Sequence, residues 1–185
     1  SERTGWESLN LGPTSRKLLS GATTMPFRLR AGDSTSCLNL YQKGNPRILG
    51  ASPAMIARGG FRFSGTMPAS ESDSLSESDS RRANPWTLLD RTFDDGAIPA
   101  IGDEAAVLWQ LKSGLGQDLM LTDERGADVR LRFVGLLSNS ILQGELIILD
   151  SHFRKLFPSI EGHGFFLIAS PEPSARKLAD ALEAA

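Results

Sequence analysis

The chain has 185 residues, of which 40% are hydrophobic and 23% charged, enough apolar material for one ordinary domain with a core. Twenty Lys and Arg against 22 Asp and Glu leave a formal charge of -2, which gives no global electrostatic reason to bind nucleic acid or to hold a membrane through a polybasic stretch. No stretch approaches the roughly 18 consecutive apolar residues of a transmembrane helix, so the sequence reads as a soluble globular polypeptide.

Residues 1–10 carry no basic stretch followed by an apolar run, so no signal peptide is read there. Without an initiator Met, the chain is expected to be a mature protein or a piece cut from a longer one. Residues 26–30 alternate and predict a strand. So do residues 36–42, with Leu38 and Leu40 on one face and Cys37, Asn39 and Tyr41 on the other. Gly44-Asn45-Pro46-Arg47 is turn chemistry. Residues 53–58 suit a short helical turn closed by Gly59-Gly60, and 61–63 resume an extended pattern. From Ser70 to Ser80 every second residue is serine, with Glu71, Asp73, Glu77 and Asp79 between them and only Leu75 apolar. Such a segment buries too little surface to offset its ordering entropy, and residues 66–84 are expected to form a flexible loop. Its acidic serines lack an EF-hand spacing for calcium.

Beyond that loop, residues 97–101 predict a short strand, whose Pro99 points to an edge or a terminus. Asp103 is the expected N-cap of a helix over 104–112, with Val107, Leu108 and Leu111 as its apolar stripe and Gly114 or Gly116 as its stop. A hairpin follows. Residues 118–121 lead through a polar turn at 122–127 into Val129, Leu131 and Phe133, which alternate with outward Arg130 and Arg132. That strand continues to Leu137, with Gly135 as the candidate bulge. Residues 145–149 and 164–169 are apolar runs that predict buried strands. Between them Ser151 is the expected cap of a short helix through Phe153, Leu156 and Phe157, ended near Pro158. Residues 174–183 predict a helix with Leu178 and Leu182 beside Ala175 and Ala179. The expected class is α+β, a mixed sheet with short helices.

Chemistry is harder to find. His152, His163 and Asp150 make a His/carboxylate site only if folding brings them together, and the spacings of zinc motifs are missing, so both histidines read as surface residues. No nucleophile elbow and no P-loop occur, and Gly114-Leu115-Gly116 lacks the third glycine of a dinucleotide loop. Asp94-Asp95-Gly96 reads as a tight turn rather than as paired carboxylates. Cys37, the single cysteine, forms no intramolecular disulfide and has no neighbouring cation to activate it, so it reads as a small buried hydrophobe. Phe133, Phe153, Phe157, Phe165 and Phe166 are assigned to the core, and Trp6, Trp86 and Tyr41 to an exposed contact surface. No residue is assigned a catalytic, cofactor-binding or metal-binding role.

Several strings are more specific together than singly. They are Ser36-Cys37-Leu38-Asn39-Leu40-Tyr41-Gln42, Asn45-Pro46-Arg47-Ile48-Leu49-Gly50, Asn84-Pro85-Trp86 and Ala97-Ile98-Pro99-Ala100-Ile101-Gly102-Asp103. Val134-Gly135-Leu136, Gln143-Gly144-Glu145-Leu146, Phe153 with Leu156-Phe157-Pro158, and Phe165-Phe166-Leu167-Ile168 follow in order. From about residue 26 to 169 this series resembles the extracytoplasmic domain of bacterial FtsX/MacB-like ABC transporter permeases. The resemblance implies that residues 1–185 are a single periplasmic domain of a membrane permease, with transmembrane helices before Ser1 and after Ala185. It implies two small α/β subdomains, one near the chain ends and one inserted, whose boundaries stay open. The implied partners are a separate cytoplasmic ATPase, the membrane through the flanking helices, and an unknown protein or substrate outside. No catalytic residue, cofactor or nucleic acid is implied. Residues 66–84 and the first twenty or so depart from the shared pattern. The alternatives are a free-standing soluble binding module of the same fold, and a hydrolase using Asp94, Asp95 or His152.

Overall fold

The computed structural model describes residues 22–32, 46–68, 84–170 and 175–176. Alternation and turn chemistry set most of its elements. Strand β1 is Thr23–Arg30 and β2 is Arg47–Ala51, so Arg47 opens a strand rather than closing a turn. Helix α1, Pro53–Arg58, begins where the Ser52 side chain accepts from the Met55 N–H and Pro53 sets the first helical φ. It ends at Gly59, whose φ of 66° is open to glycine at little cost. β3 is Phe63–Thr66, a 3-10 helix spans Pro85–Asp90, and β4 is Ile98–Asp103. A short helical stretch follows, π-helical over Ala106–Gln110. Then come β5 (Asp118–Thr122), β6 (Asp128–Leu137), β7 (Glu145–Leu149), α2 (Asp150–Leu156) and β8 (Phe165–Ala169).

The eight strands form one sheet in the order β3-β6-β4-β7-β2-β1-β8, with β5 also on β6. β2 with β7 and β4 with β6 are parallel; the other pairs are antiparallel. This is the mixed sheet with short helices that the sequence predicts. β6 is long enough to carry two partners along one side. β5 covers Asp128 to Arg132 and β3 covers Gly135 to Leu137. At the junction Phe133 bonds to Gly116 and Gln117, and the Met67 N–H donates to the Val134 carbonyl. Against β4 the register jumps from Ala100–Phe133 to Ile101–Gly135. Val134 is thus the extra residue, and the bulge falls beside Gly135 as predicted.

Successive side chains of a strand face opposite sides, and the core divides accordingly. Leu49, Ile101 and Ile147 point to one face, where α1 and the 3-10 helix lay Met55, Ile56, Trp86 and Leu89 over them. Ile48, Ala100, Leu146 and Ile148 point to the other, covered by Val107, Phe153, Leu156 and Phe157.

Several expectations need correcting. Pro99 lies in a central strand rather than at an edge, but near that strand's terminus, the other place expected for it, ahead of the ladder with β7, which covers Ile101 and Gly102. Asp103 does cap the following helix, accepting from the Ala106 N–H at 3.1 Å, yet it is itself the last residue of β4. That helix stops before Gly114, with Leu111 still helical and Lys112 at φ 50°. Leu108 is not on its buried stripe but 39% exposed. Ser151 lies inside the first turn of α2 and makes no cap bond. β8 is an edge strand with Phe166 exposed and Leu167 alone buried, since only β1 pairs with it. Thr66 and Asn84, the expected ends of the flexible loop, are ordered parts of β3 and of the 3-10 helix cap. The Ser-rich stretch 70–80, the predicted strand at 36–42, and all of the C-terminal helix except Ala175 and Arg176 lie outside the described residues.

Candidate functional site

A concavity opens where β2 and β7 end. Ala51 stands beside Leu149 in the parallel register, and the chain turns there into α1 and α2. Between these helices and the 3-10 helix opens a crevice of about 430 Å³. Pro53, Ile56, Ala57 and Leu149 give it an apolar floor, and Asp90 and Arg154 stand at its rim.

Asp150, also on that rim, is held from two sides. Arg28 Nε donates to its Oδ1 at 3.0 Å and Arg154 Nε pairs with its Oδ2 at 3.1 Å. The Arg28 guanidinium also donates to the Ile160 and Gly162 carbonyls, tying β1 to the loop after α2. Asp150 is therefore engaged by arginines rather than by the histidines. His163 is exposed, as expected, but His152 is half-buried, and its Nδ1 has no hydrogen-bond partner. Burial, with Lys155 nearby, lowers the His152 pKa; Asp90 acts weakly the other way. Among the described residues no group of three or more His, Cys, Asp or Glu is placed to hold a metal ion.

A second polar cluster lies on the outward face of β5 and β6. Arg132 Nε and Nη2 bond to Asp118 at 2.7 and 2.9 Å, and Nη2 also reaches Asp95 at 2.6 Å. Arg130 donates to the Asp95 carbonyl. The Phe93 ring takes Arg91 at 4.9 Å and Arg132 at 4.7 Å. Asp94-Asp95-Gly96 is the expected turn, with the Gly96 N–H on the Phe93 carbonyl at 2.9 Å. The Arg132 hydrogen bond, and then the Ala97 N–H, lower the Asp95 pKa; Arg132 does the same for Asp118. Carboxylates held ionised this way brace a surface and are poor proton donors.

The aromatic assignments divide. Phe133, Phe153 and Phe157 are buried, whereas Phe165 is only partly so. Trp86 is fully buried, with Phe61 and Phe63 edge-on to its ring at 5.7 and 5.8 Å and its Nε1 donating to the Gly60 carbonyl at 2.8 Å. Among the described residues the exposed tryptophan is instead Trp109, 78% accessible beyond β4. Trp6, Tyr41 and Cys37 lie outside the described residues. Sequence reasoning also passed over the crevice, whose signal is the pair of strand-to-helix turns at Ser52 and Asp150, far apart in the chain. No helix among the described residues is long and apolar enough to cross a membrane.

The chain matches no family model and no curated protein. Among solved structures it is similar to the extracellular domain of the noncanonic ABC-type transporter YknZ from Gram-positive bacteria. The likeness has 10% identity and a TM-score of 0.44, over 91% of this chain and 82% of that one. A likeness of that size does not define a family.

Proposed function

We propose that this chain is the non-catalytic extracytoplasmic domain of an FtsX/MacB-like ABC transporter permease. In this reading it couples ATP-driven motion of membrane helices to a partner or substrate outside the cytoplasmic membrane. The observation that carries the reading is the collinear series of family-like strings. Within the described residues these strings fall on the framework of the fold: β2, the start of the 3-10 helix, β4, β6, β7, α2 and β8. The sheet agrees mechanically. Thr23 of β1 stands directly opposite Ala169 of β8, so the strands leading toward the two chain ends leave side by side, as an insertion between two membrane helices requires. The partners in this reading are a cytoplasmic ATPase, the membrane through flanking helices, and a molecule on the periplasmic side.

The test is the gene and its product in the native cell. Apolar spans on both sides of these residues, a product in the membrane fraction, and co-purification of an ATPase subunit are expected. A product in the soluble fraction with no flanking span overturns the proposal in favour of a free-standing binding module.

A further inference from the structure

The crevice beyond β2 and β7 has the construction of a binding site. The two strands are adjacent and parallel, yet the helices that follow leave to opposite faces. α1 buries Met55 and Ile56 on one side of the sheet, and α2 buries Phe153 and Leu156 on the other. Where neighbouring parallel strands send their connections in opposite directions, a gap opens outside their carboxyl ends, and open α/β sheets bind ligands in such gaps. The volume of about 430 Å³ falls within the range of small-ligand pockets.

The lining specifies the ligand. Ile56, Ala57 and Leu149 offer hydrocarbon. Asp90, exposed at the end of the 3-10 helix, makes no ion pair among the described residues. Arg154 spends its Nε on Asp150, but its side chain is 61% exposed. With Asp150 already held by Arg28 and Arg154, the Asp90 carboxylate and the exposed Arg154 guanidinium above an apolar floor complement an amphipathic zwitterion, with an ammonium on Asp90, a phosphate on Arg154 and a chain on Ile56 and Leu149.

Location selects the source of that zwitterion. Ala51 and Leu149 end their strands level with Phe27 and Phe165, and β1 and β8 extend further on that same side, to Thr23 and Ala169. The crevice therefore opens on the side of the sheet where β1 begins and β8 ends, the described strand ends nearest the two termini in sequence. Resting on the function proposed above, in which those termini enter the membrane, the geometry points to a zwitterionic phospholipid of the adjacent leaflet as the occupant.

The full 185-residue chain serves for the test. It is titrated with monomeric dihexanoylphosphatidylcholine while backbone amides are followed by NMR, and sedimented with phosphatidylcholine or phosphatidylglycerol vesicles. Saturable shifts at Ala57, Asp90 and Arg154, and preference for phosphatidylcholine, are expected. Asp90→Lys and Arg154→Glu, both at exposed positions, each weaken binding about tenfold or more. Ala57→Trp, which fills the crevice from an exposed position, does the same; unchanged melting temperatures show that the variants fold. The inference is overturned if those amides do not move, if Ala57→Trp binds as the parent does, or if phosphatidylglycerol binds equally well. It is also overturned if glycerophosphocholine, which lacks chains, binds equally well. These measurements need no permease, so the inference and the reading beneath it fail separately.

Discussion

At Gly102 the sheet has no room for a side chain. A Cβ there would stand 2.5 Å from Val107 Cγ2, 3.1 Å from Leu146 Cδ2 and 3.3 Å from Phe133 Cε1. Gly102→Ala forces Val107 or β4 to move and is expected to cost about 1–3 kcal/mol by overpacking, read as a lower urea midpoint at unchanged slope. Glu145 presents the opposite problem, a charge where the fold would take a neutral group. It is buried at the start of β7, with Oε1 on Arg47 at 3.0 Å and Oε2 without a partner. Burial raises its pKa above the usual 4.5, and the pull of Arg47 does not cancel that. A carboxyl whose folded pKa exceeds its unfolded one binds its proton more tightly in the folded state. Its contribution to stability is therefore complete at acid pH and is lost as pH rises through the folded pKa. Glu145→Gln should raise the melting temperature at neutral pH and converge with the parent in acid. A variant less stable than the parent at neutral pH would refute this account.

Between elements, Asn84 is the joint that fixes the 3-10 helix to α1. Its Oδ1 accepts from the Trp86 N–H at 3.2 Å, and its Nδ2 donates to the Ile56 carbonyl at the end of α1. Asn84→Ala removes a cap and one of the two donors to that carbonyl, which keeps the Gly59 N–H, so a loss of about 1 kcal/mol is expected. Faster hydrogen exchange at Trp86 should accompany it; an unchanged melting temperature would count against the joint. The elements show where sequence reading succeeds and where it stops. Features settled within a few residues were legible, among them the Gly59 helix end, the β5–β6 hairpin, the Asp95-Gly96 turn and the bulge beside Gly135. Features settled by distant neighbours were not. Trp86 adjoins a polar stretch in sequence, but Phe61 and Phe63 close over it in space. β8 is as apolar as β7, yet one is an edge and the other lies between β4 and β2. The crevice needed the parallel pairing of β2 with β7, two strands with no local signal of adjacency.

For the whole molecule, the consequential feature is how force would enter it. β1 and β8 are antiparallel, with Thr23 opposite Ala169 and Phe27 opposite Phe165. Ladder hydrogen bonds run perpendicular to antiparallel strands, so tension applied at Thr23 and Ala169 opens the pair like a zipper. Each bond, worth only about 0.5–1.5 kcal/mol net, is then loaded in turn. Tension applied at Thr23 and at His163, just before β8, loads the same bonds together in shear. β1 does not yield as easily, because its other side is paired with β2 and Arg28 fastens it to Asp150 and to the Ile160 and Gly162 carbonyls. β8 is thus the part of the sheet that releases first, while β2, β7 and β4 stay packed on both faces. Single-molecule pulling through paired cysteines in a Cys37→Ser background should show this. The Thr23→Cys/Ala169→Cys pair is expected to give an early, low-force step with the length of β8, and the Thr23→Cys/His163→Cys pair a higher first force. Equal first forces would mean that the β1–β8 ladder is not what resists. Arg28→Ala should lower the force of the step that follows, when β1 itself is pulled from the sheet, and leave the first step unchanged.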